Sequence, residues 1–323
     1  MDLDLYNYKK KKAFSQKHLL GLSYLTDDEI YQILSLALKL KDENKMGIAH
    51  HHLKGKTLGM IFQKSSTRTR VSFEVGIYQL GGCGLFLSSA DLQLGRGETI
   101  EDTARVLSRY LDGIMIRTYK QQDVEDLAKY GTIPVINGLT DLLHPCQVLA
   151  DLMTIYEVKH RFKGLKLAYI GDGNNMAHSL LVGCSKVGMD IAVACPKGYE
   201  PNAEIVALAQ ENAGFHGSSV TITKDPQKAI ENADCVYSDV WASMGQEDEI
   251  NTRMSTFKGF QVNKELFSQA KKDAIFLHCL PAHRGEEVTE DVIDGSQSVV
   301  FDQAENRLHA QKAVMVLLMG RQK

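Results

Sequence analysis

Residues 57–80, TLGMIFQKSSTRTRVSFEVGIYQL, hold the pattern from which the fold is predicted. The apolar run Thr57–Phe62 has the length of a buried strand, and a helix of about 67–80 follows it after a short polar turn. The same alternation of strand and helix continues along the chain. Because strands that are joined through helices lie parallel, the pattern predicts an α/β fold with doubly wound parallel sheets.

The length of 323 residues predicts two such domains, since one domain usually has roughly 150 residues. Pro145 is well placed to begin a long helix, and the boundary is expected near 140–150. We therefore predict a first domain over 1–145 and a second over 146–323, bridged by helices. The last helix, about 303–323, is expected to pack back on the first domain.

Composition and charge exclude several classes of protein. The net charge of −3 leaves no overall basic surface for nucleic acid, and 44% apolar residues argue against disorder. A membrane partner is not expected, because no stretch approaches the ~18 consecutive apolar residues of a spanning helix. Six scattered cysteines predict reduced thiols in a cytoplasmic protein. The basic run Lys9–Lys12 is expected to be a mobile arm, and the histidines at 50–52 a surface loop.

In the first domain, polar residues follow predicted strands, where open parallel sheets bind ligands. Ser65–Arg70 (SSTRTR) opens a helix and can form an anion site with its hydroxyl, backbone N–H and guanidinium groups; an ordinary helix cap is the alternative. Arg117 follows a later strand and is expected to face the same binding crevice; the alternative is a salt bridge at the rim. His144–Gln147 (HPCQ) places a histidine at a helix N-terminus, facing an anion or an oxyanion, or serves as a simple cap.

In the second domain, two segments suit an amino group or another polar ligand. Gly171–Met176 (GDGNNM) lacks the third glycine of a dinucleotide-binding turn, because Met176 stands there, so a turn that offers asparagine amides is preferred. Asp239–Gly245 (DVWASMG) offers a carboxylate, a hydroxyl and a flexible turn. The alternative is a loop around a buried Trp241.

Two further segments carry reactive or charged side chains. In His278–Gly285 (HCLPAHRG) a thiol near arginines can be a nucleophile, but neighbours on extended backbone face opposite sides, so a Cys–His pair is not predicted. Arg307 lies at the start of the last helix, where a guanidinium group joins a helix N-terminus; the alternative is a surface arginine. Taken together, three arginines suit a phosphate group, whereas the second domain suits an amine, and this combination indicates group transfer.

With these motifs in this order, the chain resembles the aspartate/ornithine carbamoyltransferase family along essentially its whole length. The similar motifs are S-T-R-T (Ser66–Thr69), the Arg117 strand end, H-P-x-Q (His144–Gln147), the Asn175 turn, D-x-x-x-S-M-G (Asp239–Gly245) and H-C-L-P (His278–Pro281). The first three are similar to the family's carbamoyl phosphate site, and the last three to its ornithine branch.

The resemblance implies a set of site residues. Those implied for carbamoyl phosphate are Ser66, Thr67, Arg68, Thr69, Gln93, Arg117, His144, Pro145, Cys146, Gln147, Cys279, Leu280 and Arg307. Those implied for ornithine are Asn175, Asp239, Ser243 and Met244. The catalytic residues among them are Arg68, Arg117, His144 and Cys279. Gln93 matches a loop that reaches a neighbouring subunit in the family, which implies a homotrimer or a multiple of trimers.

The implied reaction is direct transfer of the carbamoyl group from carbamoyl phosphate to the δ-amine of L-ornithine, giving L-citrulline and phosphate, as in arginine biosynthesis. It needs no metal, no cofactor and no covalent intermediate, so Cys279 is a positioning residue. A carbamoyltransferase for another amine, such as putrescine or aspartate, is the alternative, as is a non-catalytic binding relative. The Ser243–Gly245 loop counts against putrescine, and Arg96 with Gly97 counts against aspartate.

Overall fold

The computed structural model describes residues 3–89, 92, 97–242 and 250–320. The chain divides into two compact units, one of Met1–Met153 with Glu305–Lys323 and the other of Thr154–Ala304. Each unit contains one parallel sheet with helices, so the predicted α/β class with two parallel sheets is confirmed. Within the described residues, the helices are too short or too polar to cross a membrane.

Strands and helices alternate as the sequence predicts. The strands are β1 (Thr57–Phe62), β2 (Cys83–Ser88), β3 (Gly113–Arg117), β4 (Val135–Leu139), β5 (Lys166–Ile170), β6 (Asp190–Ala194), β7 (Val220–Thr223), β8 (Cys235–Ser238) and β9 (Ile275–His278). The helices are α1 (Asp27–Lys45), α2 (Thr67–Gln79), α3 (Ile100–Tyr110), α4 (Gln121–Tyr130), α5 (Pro145–Lys159), α6 (Asn175–Val187), α7 (Ala203–His216), α8 (Pro226–Ile230), α9 (Ile250–Thr256), α10 (Lys264–Phe267), α11 (Glu290–Ile293) and α12 (Val300–Met319). Short 3-10 helices lie at Leu22–Tyr24 and Lys258–Phe260.

The strand order places a topological switch point in each sheet. In the first unit the order is β2-β1-β3-β4, and in the second it is β7-β6-β5-β8-β9, with parallel pairing throughout. In the first sheet, the chain passes from β1 to β2 on one side and from β3 to β4 on the other. In the second sheet, it passes from β5 to β6 on one side and from β8 to β9 on the other. Ligands of open α/β sheets bind outside the carboxyl ends of strands at such points.

The elements form where the sequence has caps and apolar runs. The sequence Thr26–Glu29 (TDDE) predicts a capping box at the start of α1. The structure confirms it, because the Glu29 N–H donates to the Thr26 hydroxyl at 3.2 Å and the Thr26 N–H donates to the Glu29 carboxylate at 3.0 Å. The central strands β1 and β3 are buried almost throughout, as parallel strands covered on both faces must be. Their side chains pack with those of α3 and α4 in the core of the first unit.

Several predicted boundaries and surfaces differ from the structure. The apolar run at 133–136 predicts a strand, but β4 begins two residues later. The pattern at 263–271 predicts a longer helix than the four-residue α10. The chain at 11–12 is not a mobile arm, because the Asp28 carboxylate accepts both backbone N–H groups, at 2.9 and 3.2 Å. His50 lies in the expected loop but is buried, since Glu43 and Lys312 contact its two ring nitrogens. These contacts join residues far apart in sequence, which local patterns do not reveal.

Candidate functional sites in the two units

The first candidate site lies at the switch point of the first sheet. Arg117 ends β3, is buried, and pairs in register with Phe62 at the end of β1. The segment that follows β1 turns into α2, and the Ser66 hydroxyl caps this helix by accepting the Thr69 N–H at 3.2 Å. The cap fixes the first turn, in which Arg68 is half-buried, next to the end of β3. A helix N-terminus and two guanidinium groups therefore meet at this edge, as an anion site requires.

His144 precedes α5, and its carbonyl oxygen accepts the N–H groups of Gln147 and Val148 at 3.2 and 3.4 Å. Burial holds the pKa of the imidazole well below its ordinary value, and the positive charges of three arginines lower it further. These arginines are Arg307, Arg117 and Arg68. The imidazole is therefore neutral, and one of its ring nitrogens carries a hydrogen-bond donor without adding charge.

Arg307 joins this cluster from α12 and is almost fully buried. Its Nη1 donates to Gln147 Oε1 at 2.7 Å, and its Nε donates to Gln311 Oε1 at 2.9 Å. The third edge of the guanidinium faces the Thr69 hydroxyl at 3.4 Å. The alternative of a surface arginine is thus wrong, and Arg307 links the HPCQ segment to the first turn of α2.

Pro145 and Cys146 occupy the first turn of α5 between His144 and Gln147. Pro145 is the first residue of the helix, as the sequence predicts. The Cys146 thiol is buried and donates to the Asn137 carbonyl oxygen at 3.4 Å. Burial raises the pKa of this thiol to about 12, so it remains protonated at neutral pH and is a poor nucleophile.

The second candidate site lies at the switch point of the second sheet. Ile170 at the end of β5 pairs with Ser238 at the end of β8, and Ser238 pairs in turn with His278 at the end of β9. The predicted segments that begin at Gly171, Asp239 and Cys279 therefore leave three neighbouring strands at one edge. A side chain on Gly173 would lie 2.4 Å from the backbone nitrogen of Pro201, so the turn after β5 requires glycine at that position.

Asp239 is nearly buried and has donors on both carboxylate oxygens. Oδ2 accepts from Asn174 Nδ2 at 2.9 Å, whereas Oδ1 accepts from the Val240 N–H at 2.9 Å and from Cys279 Sγ at 3.1 Å. Asn174 also caps α6, because its Oδ1 accepts the N–H groups of Met176 and Ala177. Asn175 is the half-buried first residue of α6. The carboxylate is thus held by Asn174, which precedes Asn175, and by Cys279.

His278 supports the turn that follows β9. Its Nδ1 accepts the Leu280 N–H at 2.9 Å, and its Nε2 lies 3.2 Å from the buried Glu287 carboxylate. Leu280 has a φ of 55°, so the chain leaves the extended conformation here. A ring nitrogen of His278, the Cys279 sulfur and an Asp239 oxygen consequently lie within 4.8 Å of one another, closer than alternation along a strand predicts.

Among the residues that the structure describes, these atoms and a second group have the chemistry of metal ligands. The second group is His283, Glu286 and Glu287, which is partly exposed. In both groups, hydrogen bonds already hold ligand atoms: both ring nitrogens of His278 have partners, and Glu287 Oε1 accepts the His283 N–H at 2.7 Å. A metal ion would have to displace these contacts.

Two residues that support the sites, Asp151 and Glu287, are not singled out by the sequence motifs. Asp151 accepts from Gln147, and Glu287 contacts His278 of the HCLP segment. Asp151 has a sequence signal, since it lies four residues after Gln147 on a predicted helix. Asn174, which holds Asp239, belongs to the predicted asparagine turn. Three predicted residues, Gln93, Ser243 and Met244, lie outside the described residues.

Comparisons with known proteins cover nearly the whole chain. Residues 17–157 match the family model "Aspartate/ornithine carbamoyltransferase, carbamoyl-P binding domain", and residues 163–318 match "Aspartate/ornithine carbamoyltransferase, Asp/Orn binding domain". A curated relative, "Ornithine carbamoyltransferase" of Oceanobacillus iheyensis, is 62% identical over 95% of this chain and 97% of its own length. "Ornithine carbamoyltransferase, anabolic" of Pyrococcus furiosus is 60% identical over 95% of this chain and 98% of its own.

Solved structures agree with these relatives. The structure titled "Ornithine carbamoyltransferase from Pyrococcus furiosus" superposes with a TM-score of 0.94 and 58% identity, over 97% of this chain and 100% of that chain.

Proposed function

The chain belongs to the aspartate/ornithine carbamoyltransferase family, and we propose that it transfers the carbamoyl group of carbamoyl phosphate to the δ-amine of L-ornithine, giving L-citrulline and phosphate. The observation that carries the proposal is the cluster of three arginines around a neutral His144 at the first switch point. A single carboxylate needs no such charge, whereas a phosphate dianion does.

The first unit binds carbamoyl phosphate. The first turn of α2 and two arginines hold the phosphate, while His144 donates a hydrogen bond to the carbamoyl oxygen. Gln147 Oε1 accepts from Arg307 and retains a second lone pair, which can accept from the carbamoyl NH₂ group. The residues of this unit proposed for this role are Ser66, Thr67, Arg68, Thr69, Gln93, Arg117, His144, Pro145, Cys146, Gln147 and Arg307. Cys146 acts only through its backbone, because its side chain is buried.

The second unit binds ornithine. The Asp239 carboxylate is fixed by three donors and is the counter-ion for an ammonium group of the substrate. Asn175, which follows the Asp239 partner Asn174 in the chain, offers an amide, and the further proposed partners are Ser243 and Met244. Cys279 is a positioning residue near the reacting amine, since its thiol donates to Asp239 rather than to a histidine.

The reaction is a direct transfer. The lone pair of the neutral δ-amine attacks the carbamoyl carbon, a C–N bond forms, and the C–O bond to the phosphate breaks with its electron pair leaving on phosphate. The proton lost by the amine ends on phosphate. Arg68, Arg117 and the neutral His144 stabilise the negative charge that develops on the carbamoyl oxygen and the leaving group. The chemistry proposed here requires no metal and no cofactor.

The proposed assembly is a homotrimer or a multiple of it. The outer face of α2 and the edge strand β2 expose a cluster of large apolar side chains. Its members are Val71, Val75, Tyr78, Leu85 and Phe86. Such a patch on an edge strand is typical of a surface that another protein covers. Light scattering should give three times the 35.9 kDa of one chain, or a multiple; a fully active monomer would contradict the proposal.

The proposed setting is arginine biosynthesis in the cytoplasm. The name of the Pyrococcus furiosus relative includes "anabolic", and the six cysteines of the chain are free thiols. Free thiols are the rule in reducing compartments.

An acceptor panel tests the function. Purified protein is incubated with carbamoyl phosphate and, separately, with ornithine, putrescine, aspartate, lysine or N-acetylornithine, and the ureido product and phosphate are both measured. Equal amounts of citrulline and phosphate from ornithine alone are expected. Turnover with putrescine or aspartate would keep the mechanism but change the acceptor, and binding of carbamoyl phosphate without any turnover would favour a non-catalytic relative.

A further inference from the structure

A chain of buried hydrogen bonds joins Arg307 to a carboxylate on α5. Arg307 Nη1 donates to Gln147 Oε1 at 2.7 Å, and Gln147 Nε2 donates to Asp151 Oδ1 at 2.8 Å. All three residues are at most 3% exposed, and all belong to the first unit. Water therefore competes little for these bonds.

The chemistry of the two ends fixes the direction of this chain. A guanidinium only donates hydrogen bonds and a carboxylate only accepts them. The Gln147 amide between them can thus take a single orientation, with its oxygen towards Arg307 and its nitrogen towards Asp151. Because Gln147 and Asp151 lie one turn apart on α5, the helix holds this pair rigidly.

A second chain holds another edge of the same guanidinium. Arg307 Nε donates to Gln311 Oε1 at 2.9 Å, and Gln311 Nε2 donates to the Ser72 hydroxyl at 2.9 Å. Two amides, each anchored at its far end, therefore define the plane of the guanidinium. Electrostatic stabilisation by a fixed group costs no reorganisation during reaction, and such fixing is the advantage of a buried arginine.

We infer that Asp151 is a positioning residue, which acts through Gln147 to set the guanidinium of Arg307 against the phosphate of carbamoyl phosphate. This inference rests on the function proposed above. Without an acceptor at position 151, the Gln147 NH₂ group loses this partner and its oxygen is held only by Arg307, so Arg307 loses one of its two anchored partners. The carboxylate is needed for its acceptor atom, not for its charge, because an anion near this cluster weakens rather than strengthens phosphate binding.

Two substitutions at position 151 separate these effects. Asp151→Leu removes the acceptor but keeps the branching of the side chain, whereas Asp151→Asn keeps an oxygen that can accept from Gln147. Asp151→Leu should raise the KM for carbamoyl phosphate, and weaken the binding of inorganic phosphate, by about 10- to 100-fold, while the KM for ornithine stays unchanged. Asp151→Asn should leave all three constants within about threefold of wild type, with phosphate binding equal or tighter. Asp151→Ala replaces Asp151→Leu if that variant does not fold.

Lys41→Met is the matched control, because Lys41 Nζ donates to Asn306 Oδ1 at 2.7 Å in another buried contact of α12. It should lower the melting temperature but leave the phosphate affinity unchanged. Titration calorimetry with inorganic phosphate needs no turnover, so it tests the inference even if the acceptor panel fails. Unchanged phosphate affinity in Asp151→Leu would overturn the inference, as would equal losses in Asp151→Asn or Lys41→Met.

Discussion

Asp239→Asn replaces the carboxylate of the second site with an amide of the same shape. Three donors now point at the two carboxylate oxygens, from Asn174, Val240 and Cys279. An amide has a single acceptor oxygen, so in either orientation its NH₂ group faces at least one donor. The substitution therefore removes the negative charge and also disturbs the position of the side chain.

The loss of charge sets the expected magnitude. Two unit charges about 4 Å apart attract by about 4 kcal/mol at an effective dielectric constant of 20, and each 1.4 kcal/mol is a factor of ten. Asp239 is 5% exposed, so its charge is screened little by solvent. The desolvation of the substrate offsets part of this gain. We expect kcat/KM for ornithine to fall about 10²- to 10³-fold, while the affinity for inorganic phosphate is unchanged.

The assay compares citrulline formation by Asp239→Asn and Asp234→Asn at saturating carbamoyl phosphate. Asp234 precedes β8 and Asp239 follows it, so they lie at opposite ends of one strand. Asp234 is also buried, and accepts from the Lys166 N–H at 2.9 Å and from Lys271 Nζ at 2.8 Å. Asp234→Asn should lower stability and leave kcat/KM within about threefold. Equal losses in both variants, or a loss below threefold in Asp239→Asn, would refute the reasoning.

Three other predictions concern single side chains. Arg68→Ala should lower kcat/KM about 10²- to 10³-fold, because it removes a donor of the proposed phosphate site. Unchanged turnover, or an equal loss in the exposed Arg105→Ala, would contradict that role. Iodoacetamide should alkylate the half-buried Cys279 before Cys146, whose thiol pKa of about 12 leaves almost no thiolate; mass spectrometry of peptides reports the order. Burial lowers the pKa of Lys312 to about 8, so the folded chain loses this proton before the unfolded chain, whose lysine pKa is 10.5. The free energy of unfolding should therefore rise by up to about 3 kcal/mol between pH 8 and 10.5, and Lys312→Met should abolish this rise in denaturant titrations.

Local patterns predicted most of the fold because each element depends on nearby residues. Thr57–Phe62 and Lys166–Ile170 are apolar runs between polar turns, and the structure has strands with the same bounds. Thr26 caps α1 as its spacing from Glu29 predicts. The bounds of the short α10 are harder to predict, because a helix of four residues leaves almost no periodic signal.

The partners of the site residues could be predicted only where they share a helix. Gln147 and Asp151 are four residues apart, so their contact was available from the sequence. Arg307 and Gln147 are 160 residues apart, and Asn174 and Asp239 are 65 apart. Contacts across such distances depend on the strand order, which propensities and periodicity do not determine.

The strand order explains why the predicted polar segments form sites at all. Residues at the ends of β1 and β3 meet only because these two strands are neighbours, and the same holds for β5 and β8. The first meeting point gathers arginines, and it must therefore keep His144 uncharged, since a fourth cation there would be repelled. The second gathers donors around one carboxylate, which fixes a negative charge where we propose that the cationic substrate binds. A phosphorylated donor and an amino-acid acceptor thus require opposite charges at the same topological position of two sheets.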